Sequence, residues 1–305
     1  MTDTSSAAHT AGASAADTAT AAARDATATA TLARGRVAEP RARFRDLVAA
    51  EWAKWWSLRS SGWALVATAL TVIGFNVGIA YDTYRYWSER DTASRADFVR
   101  DGIPLSIAFS ANAAMLLMLA LSAIGSTVIV GEYRTGLIRT TFTAVPARRS
   151  VMAAKVCVVT VVTTVFGALV SVASFGLTQA VLSGRDAGVA IGHPGALRLV
   201  VASALLAPLS ALVGLALGTV LRHSAATMTA NVVVLLLLPL VFSADRHWAA
   251  VVEHALPTGA WNRLTAVGHQ QVAHPWTVGG AWTVYAVWAV VAAVVTVAPV
   301  QRRDQ

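Results

Sequence analysis

The sequence predicts an all-α membrane protein with six transmembrane helices preceded by an N-terminal amphipathic interfacial helix. Three observations predict it. The 305 residues are 56% hydrophobic and 13% charged, with a mean hydropathy of +0.58, a balance far from that of soluble domains. Six runs, at about residues 62–81, 104–130, 156–182, 199–221, 224–244 and 279–300, contain no Asp, Glu, Lys, Arg or His. Each is close to or longer than the roughly 20 residues a helix needs to cross about 30 Å of hydrocarbon. The connections between runs also differ in charge: residues 131–150 hold four arginines against one acid, whereas residues 82–103 hold five acids against four arginines. Short loops rich in Lys and Arg stay on the cytoplasmic side, so 131–150 is expected inside, 82–103 outside and both termini cytoplasmic.

Residues 1–40 are dominated by Ala, Thr and Ser and read as a disordered cytoplasmic tail. Residues 41–61 follow as an amphipathic connecting segment, in which Phe44, Leu47, Val48, Trp52, Trp55 and Leu58 recur at three- and four-residue spacing. Arg41, Arg43, Arg45, Lys54 and Arg59 surround that stripe, a pattern suited to the headgroup layer of a bilayer, with an ordinary helix packed on protein as the alternative. Residues 62–305 then make the six-span domain.

Within the spans, Ser210, Gly214 and Gly218 form a stripe of small residues on which another helix can pack closely, from the same chain or a second copy. Pro208 and Pro239 are expected to interrupt spans four and five. Asn76, Asn112, Gln179 and Asn231 are read as hydrogen-bonding partners of neighbouring helices. Cys157 reads as a small buried hydrophobe. Near the last span, His247–Leu256 is expected to form a short amphipathic helix presenting Trp248, Val251, Val252 and Leu256 and stopped by Pro257. His247, His254, His269 and His274 lack the spacing of a metal site and read as solvated.

Several chemistries have no carrier in this sequence. Neither Lys54 nor Lys155 follows a glycine-rich phosphate loop, and no GxSxG elbow or HExxH pair occurs. No catalytic residue, cofactor or metal site is expected on this chain. The net charge of +8 is spread over loops instead of gathered in one stripe, which argues against nucleic acid as a partner. Ion-coupled carriers keep ionisable groups within their spans, and these spans have none.

The most informative stretch is GEYRTGLIRTTFTAVPARRS, residues 131–150. Tyr133, Leu137, Ile138 and Phe142 follow helical spacing, with Glu132 near the expected helix start and Pro146 at its stop. Such an element suits docking to a soluble partner.

Together with EWAKWWSLRS before the first span and LPTGA in the last external segment, this stretch resembles the permease subunits of type 2 ABC exporters, over about Arg41 to the C-terminus. The resemblance implies an export permease of the plasma membrane that forms the substrate path beside a second permease copy or a sister permease. A separate ABC ATPase subunit would carry ATP and Mg. It also implies that 131–150 holds a cytoplasmic coupling helix touching that ATPase through Glu132, Tyr133, Arg134, Thr135 and Gly136, with Arg139 and Thr140 behind them. The interfacial helix, with Trp52, Lys54, Trp55 and Arg59, would connect to it as well. A membrane sensor or scaffold without transport, and a gradient-driven carrier, stay open as alternatives.

Overall fold

The computed structural model describes residues 43–57, 59–145, 147–242, 247–267 and 276–298. The expected tail at 1–40 lies outside them, as do Leu58, Pro146, His269 and His274. All regular structure among the described residues is helical. Helix α1 spans Phe44–Ser57, and α2, Arg59–Arg85, is the first of six helical segments long and apolar enough to cross a membrane. A short turn at Trp87–Glu89 leads to α3, Thr92–Arg100, which Asp91 caps by accepting from the Ser94 N–H.

The second span is broken, where one continuous run was expected. Helix α4, Ile103–Ala108, ends at Phe109, which is extended, and α5, Ala111–Thr135, starts from the Ser110 cap. The break is held by Asn76 of α2. Its Oδ1 accepts from both the N–H and the hydroxyl of Ser110, and its Nδ2 donates to Ser174, whose hydroxyl donates to the freed Ala108 carbonyl at 2.8 Å. The freed Ala108 carbonyl and Ser110 N–H thus both find protein partners, as irregular backbone within an apolar span requires.

Helix α6 spans Leu137–Ala144, and α7 runs from Arg148 to Ser183. The third span therefore begins about two turns earlier than its charge-free run. Helix α8, Ala196–Leu221, passes through Pro208 without ending, and only Arg222 and His223 separate it from α9, Ser224–Val232. A wide π turn at Val233–Leu237 precedes α10, Leu238–Val241, which contains Pro239. Proline lacks an N–H and crowds the carbonyl four residues back, here Leu235, so the loosened turn falls where the ring demands it.

Helix α11, His247–Ala255, matches the short helix read from the sequence, but Pro257 opens a further one. That helix, α12, spans Pro257–Thr265 and is largely buried, with the Trp261 indole donating to Ser203 of α8 at 3.1 Å. Helix α13, Val278–Val297, is the sixth span, and its Trp288 donates to the Ala255 carbonyl.

The spans gather around α8. Of its most apolar stretch 89% is buried, against 22% for α2 and 17% for both α9–α10 and α13. The Ser210, Gly214 and Gly218 stripe accounts for the position, because it faces α5. A Cβ on Gly214 would lie 1.9 Å from the Ser122 carbonyl oxygen, and one on Gly125 would lie 2.0 Å from that of Ala211. Side chains there would force the two helices apart. Asn231 of α9 donates to Ser126 at 2.7 Å beside the same contact, and Gln179 of α7 donates to the Pro104 carbonyl, while Asn112 is exposed at the start of α5. Cys157 is also exposed, contrary to its sequence reading, because it belongs to the outward stripe of α7 that continues through Val161, Val165 and Leu169.

The connections sort to two ends. Residues 82–102, 184–195 and 256–267 meet at one end, where Gly102 and Gly195 both lie against Val267 and the Arg198 guanidinium donates to the Leu264 and Ala266 carbonyls at 2.7 Å. At the other lie α1, residues 131–145 and 147–155, and the 222–223 turn.

Candidate functional site

At that second, basic end, four charged side chains from three helices close into a ring. Lys155 of α7 donates to Glu51 Oε2 of α1 at 2.5 Å and to Glu132 Oε1 of α5 at 2.8 Å. Lys54 of α1 donates to Glu51 Oε1 at 2.6 Å and to the same Glu132 oxygen at 3.3 Å. Each ammonium thus holds two carboxylates and each carboxylate two ammonium groups. The side chains of Lys155, Glu51 and Glu132 are 2%, 6% and 12% exposed, and Lys54 is the open member at 31%.

Burial raises the Glu51 carboxyl, but the Lys155 charge and the hydrogen bonds from both lysines outweigh it and hold the group below its ordinary 4.5. Burial likewise works against the Lys54 ammonium, yet Glu51 and Glu132 together raise it above its ordinary 10.5. With two lysines facing two glutamates the ring has no formal net charge, and its poorly hydrated place demands all four partners at once.

Helix α1 is set by the face it buries. Leu47, Glu51 and Trp55 recur every four residues and turn inward, so the acid sits in the middle of the apolar stripe. Trp52 and Trp56 point outward at 42% and 62% exposure, in edge contact at 6.0 Å, and Phe44 joins them. The sequence placed Trp52 and Trp55 on one face; the structure separates them. Arg59 is exposed at the start of α2.

The 131–150 stretch also differs from a single helix starting near Glu132. Glu132, Tyr133, Arg134 and Thr135 form the last turn of α5, which ends at Gly136 with φ +72°. That left-handed conformation favours glycine and closes the helix by a bond from the Gly136 N–H to the Tyr133 carbonyl. Helix α6 then starts afresh. It is pinned by Ile138, which is buried, and by Phe142, beneath the Arg148 guanidinium at 5.3 Å. Phe142 and Val145 share a small apolar cluster with Leu47 and Val48 of α1 and Val151 and Ala154 of α7. Val145 is extended, as a residue before proline prefers to be, so the last helical residue of α6 is Ala144, two before Pro146.

Of the residues singled out from the sequence, Arg134, Thr135, Arg139 and Thr140 are exposed around α6. Tyr133 is half-buried under the Arg222 guanidinium at 4.8 Å. Glu132 and Lys54 turn into the ring. Sequence reasoning missed Glu51 and Lys155 as members. Their signal was an acid inside an apolar stripe and the presence of only two lysines in a chain of 24 basic residues. At the opposite end His254 stacks on Trp276 at 4.5 Å, and no group of three or more His, Cys, Asp or Glu among the described residues is placed to hold a metal ion.

The chain matches no protein-family model, and no curated protein matches it as a relative.

Proposed function

We propose that the chain is the membrane-spanning permease subunit of a type 2 ABC exporter, driven by ATP hydrolysis on a separate ATPase subunit. The observation that carries this reading is the unit formed by α1, α6 and the start of α7. A short helix with Arg139 exposed, and Arg134 exposed just before it, stands at the basic end; one apolar cluster joins it to α1 and α7, and the ion ring joins those two helices to α5. An element so anchored transmits a push from outside as a rigid-body movement of α5 and α7. The arginine excess of residues 131–150 supports a cytoplasmic position for this end, and in this reading both termini lie on the same side. The exposed Trp52 and Trp56 suit α1 to the headgroup layer of the plasma membrane.

In this reading Arg134, Arg139 and Thr140 touch the ATPase, while Glu132 acts within the chain by holding α5 to α1 and α7. A second permease completes the path, and α2, α9 and α13 offer the exposed apolar faces for lipid or that partner.

The test is an Arg134→Glu, Arg139→Glu double variant of the full chain. It should insert and fold normally but lower transport and stimulation of a co-purified ATPase by about tenfold, the scale of a lost charge-assisted contact. Undiminished transport by that variant, or transport by vesicles without ATP, overturns the proposal. A partner captured without any ATPase activity points instead to a sensor or scaffold.

A further inference from the structure

At the end opposite the ion ring, a cavity of about 390 Å³ opens between two interruptions of helix. One wall runs from the end of α3 through α4 to the start of α5, where the second span breaks, and contributes Asp101, Ser106 and Phe109. The other is α12 and the residues after it, with Trp261, Asn262 and Thr265. Non-helical backbone among apolar spans is tolerated where it borders such a space, and the volume falls in the range of small-molecule sites.

The charge of the lining is one-sided. Among the described residues Asp101 is the only charged one that lines the cavity. Arg100, outside the lining, reaches Asp101 at 3.5 Å through Nε and holds Asp97 more closely, at 2.8 Å. Arg198 and Arg263 also stand outside the lining, their Nε groups donating to the Leu264 and Trp276 carbonyls. The Ser106 and Thr265 hydroxyls donate to the carbonyls of Ile103 and Trp261, so their oxygens are left to accept, while the Asn262 amide can serve either sign. Phe109 and Trp261, ring centroids 6.2 Å apart, supply aromatic surface, which attracts cations at its π faces.

We propose that this cavity binds a small organic cation, an ammonium group on a flat apolar body. The ammonium donates to Asp101 and to the Ser106 and Thr265 oxygens, and the body lies against Phe109 and Trp261. An anion would face the Asp101 carboxylate and, apart from the Asn262 amide, no free side-chain donor. A bare metal ion would find a single carboxylate. An uncharged molecule of the same shape would keep the aromatic contact and lose the ionic one. Binding of this kind is independent of transport and of any ATPase.

The test uses the full-length protein in nanodiscs of zwitterionic lipid, with tritiated tryptamine as the probe and unlabelled tryptamine, tryptophol and indole-3-acetate as competitors. All three carry the same indole and differ in charge. Wild type should bind tryptamine saturably, one per chain, with tryptophol competing about tenfold more weakly, the scale of one charge-assisted contact, and indole-3-acetate more weakly still. Asp101→Asn should weaken tryptamine about tenfold and bring it level with tryptophol. Ala111 is exposed at the start of α5 and lines the cavity, so Ala111→Phe should fill the space and abolish binding. No saturable uptake by wild type, or equal uptake by Ala111→Phe, overturns the site. Equal competition by the three compounds, or indifference of tryptamine to Asp101→Asn, overturns the assigned ligand.

Discussion

At the scale of the residue, the ion ring decides most. Removing one member leaves its partners charged and desolvated, so Lys155→Met should destabilise the protein by about 3–5 kcal/mol, while a Glu51→Met, Lys155→Met pair should cost less than the two single changes together. Thermal unfolding in detergent measures both. The pH dependence follows from the shifts at Glu51 and Lys54. The depressed Glu51 carboxyl contributes fully above 4.5 and its contribution is lost as pH falls through the folded value. The raised Lys54 ammonium contributes fully below 10.5 and loses its contribution as pH rises through its own folded value. Unfolding temperature should therefore stay level through neutral pH and drop on the acid side, with a shallower acid drop in Glu51→Gln. The ring was hard to read from the sequence because Glu51 and Lys155 lie 104 positions apart, and local spacing carries no information about such a pair. Glu51 alone was legible, as an acid where the stripe of Leu47 and Trp55 called for an apolar side chain.

Elements were legible where periodicity and composition agree, and illegible where a distant contact sets the boundary. Each of the six apolar runs coincides with a mostly helical segment over the described residues, and the short loop at Arg222 and His223 is where the sequence put it. The break at Phe109 and Ser110 depends on Asn76 in another helix, so nothing local announced it. Pro257 was read only as a stop, although proline is equally at home in a first helical turn, and α12 begins there. Gly136 was counted inside one helix, yet its positive φ divides two. Gly136→Ala should cost about 1–2 kcal/mol from the left-handed backbone and misalign α6, which ATPase coupling and thermal unfolding would report together. At the contact of α5 with α8 the effect should be larger. Gly214→Leu must push into the Ser122 carbonyl, so folded protein should be lost on size-exclusion chromatography, while Gly131→Ala, in the same helix pair but facing open space, should be tolerated.

Across the whole molecule, the alternation of connections between two ends makes a topological prediction. With Cys157→Ala as background, a cysteine at position 140 should react with an impermeant thiol reagent only after the membrane is opened, and one at position 186 should react in intact cells. The opposite pattern would invert the chain. The sequence made this alternation readable through its charge distribution, but not the order of burial. The runs that become α8 and α13 are both strongly apolar, with hydropathies of 2.3 and 1.9, yet one is enclosed and the other peripheral. Hydrophobicity measures affinity for an apolar medium and does not distinguish lipid from protein; the small-residue stripe of α8 was the available clue. The chain's only two lysines, Lys54 and Lys155, both belong to the ring. Acylating reagents that seek side-chain amines should therefore reach Lys54, the open member, and spare the enclosed Lys155 in the closed protein, so the rate at which Lys155 acquires a label would time the opening of α1 with no engineered probe.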